Sequence, residues 1–190
     1  MAVLRLIIAF GVYIGPLVCH AYWFKADASL QNLIDLLTTA ERVYVYEKSY
    51  QPCQYYEKLN LKNTYFEFQL TKVNCPENKQ NLTAKLSDDP SHPNAPDMWV
   101  SRWNGEENAR LSLIHYNSNE KCGIFTYIDK YDHRHFEVHV RGSKLNDKLD
   151  GRLEFHNCLK KFNDARNRQS DAQYDYCYNR CSRGTHMKKS

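Results

Sequence analysis

Glycine and proline are scarce, at 7 and 6 of 190 residues, which excludes a collagen-like or low-complexity chain. Neither sign of charge is in large excess. The 26 basic and 22 acidic residues leave a net charge of +4, too mild and too dispersed to suggest nucleic acid as a partner. No apolar run after Val18 approaches the roughly 20 residues that span a bilayer. The usual catalytic signatures are also missing: there is no Gly-x-Ser-x-Gly, no His-Glu-x-x-His and no phosphate-binding glycine loop. Without a nucleophile–base constellation, an enzyme is not expected.

What is present begins with a leader. Met1 to Arg5 is short and basic, Leu6 to Val18 is almost wholly apolar, and Cys19-His20-Ala21 places small residues at −3 and −1. This layout predicts a secretory signal peptide over 1–21, followed by a single domain over 22–190. Without Cys19, six of the 7 cysteines remain: Cys53, Cys75, Cys122, Cys158, Cys177 and Cys181. An even number in a secreted chain reads as three disulfides, although spacing alone leaves 15 pairings open. The sequon Asn81-Leu82-Thr83 makes Asn81 a candidate N-glycosylation acceptor.

The hydropathy pattern changes period twice. Leu30, Leu33, Ile34 and Leu37 follow helical spacing, with Asp27 as the expected N-cap. Alternating, β-branched and aromatic stretches then recur over 42–50, 55–59, 65–72, 82–86, 98–103, 110–116, 123–129 and 135–141. Turn residues such as Asn60 to Asn63, Asn104-Gly105 and Asn117 to Asn119 separate them. Such a series predicts an antiparallel β-sandwich or barrel. Pro90 to Pro96 reads as a loop, since strand-like sequence resumes directly after it. From Asp150 a helical pattern returns, with Leu153, Cys158, Leu159 and Phe162 as its apolar stripe, ending near Ala165.

Signal peptide, short helix, eight strands, helix and cysteine-bearing tail, in that order, resemble a lipocalin. The details are similar to the tick salivary lipocalins of the histamine-binding protein family. Asp27-Ala28 is similar to that family's Asp-Ala-Trp, with Ser29 in place of Trp. Val43-Tyr44 opens the first strand as there. Cys122, Phe136-Glu137-Val138 and Asn157-Cys158-Leu159 with Phe162 follow in the family's order. The resemblance implies an eight-stranded barrel with a C-terminal helix on its wall and a Cys122–Cys158 disulfide. It also implies a bond from Cys53 to Cys177 or Cys181, with Cys75 taking the other. The implied function is stoichiometric capture of a small host ligand, delivered in saliva, that dampens host immune defence.

The stretch His133 to Arg141 carries the sharpest question. His133, His135, Glu137, His139 and Arg141 share one face, and Phe136, Val138 and Val140 the other. Period alone puts the apolar face in the core and the charged face in water. The resemblance implies the reverse, with Glu137 pointing into the barrel as a buried carboxylate and His139 where the family usually has Trp. The amine-binding members use further acids. Here Tyr50-Gln51-Pro52 offers none before Cys53, and Ala84 stands near where another would fall.

The expected ligand is therefore mostly apolar — a sterol, fatty acid or eicosanoid, as in the japanin-like branch. Histamine or serotonin held by Glu137 is the alternative. A second alternative is an outer barrel surface that binds a host immune protein or cell. Tyr44, Tyr46, Tyr50, Phe66, Phe68, Trp99, Trp103 and Leu113 join Glu137, His139 and His135 as candidate ligand-lining residues. The histidines also raise a metal site, since i, i+2 pairs can chelate zinc. However, i and i+4 on a strand lie roughly 13 Å apart, and no third ligand from another strand is evident. No metal or cofactor is expected on that reading.

Overall fold

The computed structural model describes residues 26–46, 54–72, 78–88, 95–145, 148–149 and 152–167. Eight antiparallel strands close into a barrel in sequence order: β1 (Val43–Tyr46), β2 (Gln54–Lys62), β3 (Tyr65–Lys72), β4 (Lys79–Asp88), β5 (Pro96–Trp103), β6 (Glu106–Asn117), β7 (Cys122–Ile128) and β8 (Arg134–Arg141). Closure comes from β1 pairing with β8, Val43 opposite Arg141 and Tyr46 opposite Val138. A closed sheet leaves no unpaired edge. Where β5 turns into β6, Asn104 (φ 49°) and Gly105 (φ 92°) both adopt left-handed backbone. That is the two-residue hairpin turn that an Asn-Gly pair favours.

Helix α1 (Leu30–Leu37) precedes the barrel. Its N-cap is Ser29, in a capping box with Asn32, and not Asp27. Asp27 instead pairs with His115 on β6 and with Lys161. Eight residues of helix are marginal alone. The helix is held because Leu33, Leu36 and Leu37 are buried in the same cluster as the barrel interior, each worth roughly 1.5–3 kcal/mol by area. Gly123 on β7 permits the close approach. A Cβ there would lie 2.7 Å from Leu113 Cδ1 and 2.8 Å from Leu36 Cδ2. Arg141 also donates to the Asp35 and Leu36 carbonyls. Helix α1 thus stops one barrel end, the one bearing the β2–β3 and β6–β7 turns.

After β8 the chain forms a small hairpin, β9 (Lys148–Leu149) with β10 (Arg152–Leu153), and then α2 (His156–Asn167). Leu153 therefore belongs to a strand and not to the helical stripe. Helix α2 lies on the outer wall, with Phe155, Cys158, Phe162 and Ala165 packed against Phe136, Val138 and Val140 of β8 and Ile124 of β7. A disulfide joins Cys122 to Cys158. Phe155 has no side chain able to cap the helix, and Glu120 does so from the β6–β7 turn. Its carboxylate accepts from the backbone N–H groups of Asn157 and Cys158 at 3.0 and 2.9 Å. No helix among the described residues is long and apolar enough to cross a membrane.

Candidate functional site in the barrel

The interior face of β8 is the polar one. Phe136, Val138 and Val140 are covered by α2, while Glu137 and His139 face the barrel interior with 0% exposure. The inward-apolar expectation drawn from strand period alone is corrected. It fails because α2 buries the outer face as well, and alternation cannot rank two buried faces.

Around these two residues stands an aromatic shell. Tyr56 of β2, Phe66 and Phe68 of β3 and Trp103 of β5 are all fully buried. Phe66 and Phe68 stack at 4.9 Å, Trp103 stacks on His139 at 5.7 Å, and Phe125 lies 4.2 Å from His139. Leu113 joins the same interior cluster nearer α1. Trp103 turns inward because alternation slips on β5: Ser101 and Arg102 are both exposed before it.

Burying a carboxylate is costly unless donors meet it. Three do. Trp103 Nε1 donates to both oxygens of Glu137, at 3.0 and 3.1 Å. Asn104 Nδ2 donates at 2.9 Å, and His139 Nε2 lies 3.0 Å from Oε2. The other imidazole nitrogen, Nδ1, lies 3.2 Å from the Tyr56 hydroxyl. One assignment satisfies both contacts: Tyr56 donates to Nδ1, and Nε2–H donates to the carboxylate. Burial raises the Glu137 pKa to about 7, against the bonds from Trp103 and Asn104 and the charge of His135. Burial lowers that of His139 to about 3, and it pushes the Tyr56 phenol well up, keeping it a donor.

At the end opposite α1 the interior becomes more polar. Gln54 Nε2 donates to Asn104 Oδ1 at 3.2 Å, and Asn104 Nδ2 reaches Tyr127 Oη at 3.1 Å. His135 stacks on Tyr127 at 4.7 Å. Asn104 and Gln54 were not candidates from sequence. The Asn-Gly signal marked a turn, and nothing in it said that the asparagine side chain turns inward.

Three aromatic candidates point elsewhere. Trp99 is 41% exposed on the outer face, beneath the Arg110 guanidinium at 5.3 Å. Tyr44 and Tyr46 lie outside the barrel and pack with the α2 cluster, Tyr46 at 5.4 Å from Phe155. On β1 it is Val43 and Val45 that enter the interior. Asn81 is exposed on β4. Tyr50, Cys53, Cys75, Cys177, Cys181 and the expected signal peptide over 1–21 lie outside the described residues.

Among the described residues, the other buried acids are already engaged elsewhere. Asp97 is held on the outer face by Arg110 and by Ser112, 2.6 Å away. Glu120, Cys122 and Cys158 converge closely, but both sulfurs are consumed by the disulfide and the carboxylate caps α2. No protein-family model matches the chain, and no curated protein matches it.

Proposed function

We propose that this is a secreted, lipocalin-like protein, akin to the salivary lipocalins of ticks. On this reading it sequesters a small, mostly apolar host ligand (a sterol, fatty acid or eicosanoid) and so dampens host immune defence. The observation that supports the ligand class is the state of Glu137. Its carboxylate already accepts from Trp103, Asn104 and His139. A cationic ligand has to displace one of these donors, whereas the surrounding interior is aromatic and aliphatic. Burying apolar ligand surface contributes about 25 cal/mol per Å² without any directional partner. Gln54, Asn104, Tyr127 and His135 offer a few polar contacts for a hydroxyl or carboxylate head, the usual composition of a small-molecule site.

A biogenic amine is the second reading. A buried carboxylate among aromatic rings favours an ammonium group. Against it, Ala84 is a buried alanine on the interior wall, so a dication gains no second carboxylate there to offset its desolvation.

Titration of the secreted protein with a fluorescent sterol and a fluorescent fatty acid tests the proposal. Saturable one-to-one binding, with tryptophan quenching lost in Trp103→Phe and kept in Trp99→Phe, is the expected result. Saturation by histamine or serotonin, with none by either apolar probe, moves the assignment to the amine.

A further inference from the structure

The β7–β8 loop gathers a second group of polar side chains. Asp129 stands just after β7, His133 just before β8, and His135 on β8 itself. We propose that Asp129, His133 and His135 form a binding site for a divalent transition-metal ion such as zinc.

The argument starts from spacing. Asp129 Oδ2 lies 3.0 Å from His135 Nε2 and 3.5 Å from His133 Nδ1. Ligand atoms held about 2.0–2.1 Å from a tetrahedral ion are roughly 3.4 Å apart. Both contacts, the shorter of them a hydrogen bond, are within about 0.4 Å of that spacing. The third edge of the ligand triangle is open: the ring nitrogens of His133 and His135 lie more than 4.8 Å apart, so the site requires His133, whose side chain is 46% exposed, to turn toward His135.

The donors are also oriented from behind. The Asp129 side chain is only 7% exposed. Its Oδ1 accepts from the backbone N–H groups of Tyr131 and His133 at 2.9 and 2.8 Å, which aims Oδ2 at the two rings. Such support of a ligating carboxylate is characteristic of metal sites. His135 is fixed by its near-parallel stacking on Tyr127, with an interplanar angle of 13°. Burial works against ionisation of Asp129. The bonds from His135 and from the His133 and Tyr131 N–H groups outweigh it and hold the pKa at about 2.

Two imidazoles and one carboxylate suit zinc, copper or nickel, and not the all-oxygen shells of calcium or magnesium. The exposure of His133 leaves the remaining position to water. The strand face that contributes His135 supplies no third ligand of its own. Asp129, six residues earlier across the loop, does. A bound ion ties the loop to β8 at the barrel end where Gln54, Asn104 and Tyr127 gather.

The test uses untagged, chelator-treated secreted protein titrated with zinc by calorimetry, beside Asp129→Asn and His133→Gln. Asparagine keeps an Oδ1 for the two backbone N–H groups, so the loop retains its turn and only the ligand is weakened. One zinc per chain is expected, with binding about tenfold weaker or worse in each variant. Copper-loaded protein should show nitrogen hyperfine coupling from two imidazoles, reduced to one in His133→Gln. Absence of saturable binding at micromolar zinc overturns the proposal. So does unchanged affinity in both variants, which would place the ion on other histidines.

Discussion

The indole Nε1 of Trp103 lies 3.0 and 3.1 Å from the two carboxylate oxygens of Glu137, so one donor from β5 spans an acid on β8 across the barrel. Trp103 immediately precedes the Asn104-Gly105 turn, which aims a second donor at the same group. This pairing turns a costly buried acid into the polar hub of an otherwise apolar interior.

Glu137→Gln keeps the shape but sets an amide N–H₂ among N–H donors. One donor then loses its acceptor, at a cost of about 1–3 kcal/mol. The pH dependence has a definite sign. The folded-state pKa of about 7 lies above the ordinary 4.5, so the folded protein holds this proton more tightly than the unfolded chain. That stabilisation is fully present below pH 4.5 and is lost as pH rises through about 7. Its size is about 3 kcal/mol. His139, lowered to about 3 from 6.5, acts oppositely: its contribution is present above 6.5 and lost on acidification. Urea unfolding of both proteins across this range should show wild type losing its advantage over Glu137→Gln as pH rises. A pH-independent difference contradicts the assignment.

Asn104 serves both backbone and side chain. Asn104→Gly keeps the left-handed turn and removes the bonds to Gln54, Tyr127 and Glu137, for an expected loss of about 1–3 kcal/mol. Asn104→Ala should cost about 1 kcal/mol more, because alanine resists φ > 0. Equal stability of the two variants in chemical denaturation means that the turn carries no strain.

Gly123→Ala drives a methyl into Leu113 and Leu36. Both contacts are ends of flexible side chains, so the expected cost is about 1–3 kcal/mol and not loss of the fold. Leu36→Ala alone opens a cavity. In the double variant the added methyl occupies part of it, so the combined loss should fall well short of the sum. Strict additivity would show that α1 does not close the barrel at this point.

Glu120→Ala removes the cap on α2 and should lower stability by about 1–2 kcal/mol. Glu120→Gln, which retains an acceptor oxygen, should lose less. Reducing Cys122–Cys158, which closes a loop with a sequence separation of 36, should cost about 4 kcal/mol by the chain-entropy argument. Amide exchange at Asn157 and Cys158 reads the cap directly. Unchanged protection in Glu120→Ala rules it out.

The strands were legible because most alternate cleanly between one buried and one wetter face, as Phe66, Phe68 and Leu70 do on β3. The orientation of β8 was not, since five consecutive residues from Phe136 to Val140 are buried. Only the resemblance to a known family pointed Glu137 inward. Trp99 and Trp103 looked equivalent in sequence, and the slip at Ser101-Arg102 separates them. Tyr44 and Tyr46 were misread for the same reason as β8: α2, far along the chain, makes the outer face of β1 a buried surface too. Asp129 escaped notice as a partner of the histidines because the loop, and not strand period, brings it to them.

The most direct measurement is native mass spectrometry of the purified protein, followed by denaturing extraction of whatever co-purifies. The account predicts one sterol, fatty acid or eicosanoid per chain, released only on unfolding. An empty barrel that then takes up histamine or serotonin, and loses it in Glu137→Gln, contradicts it.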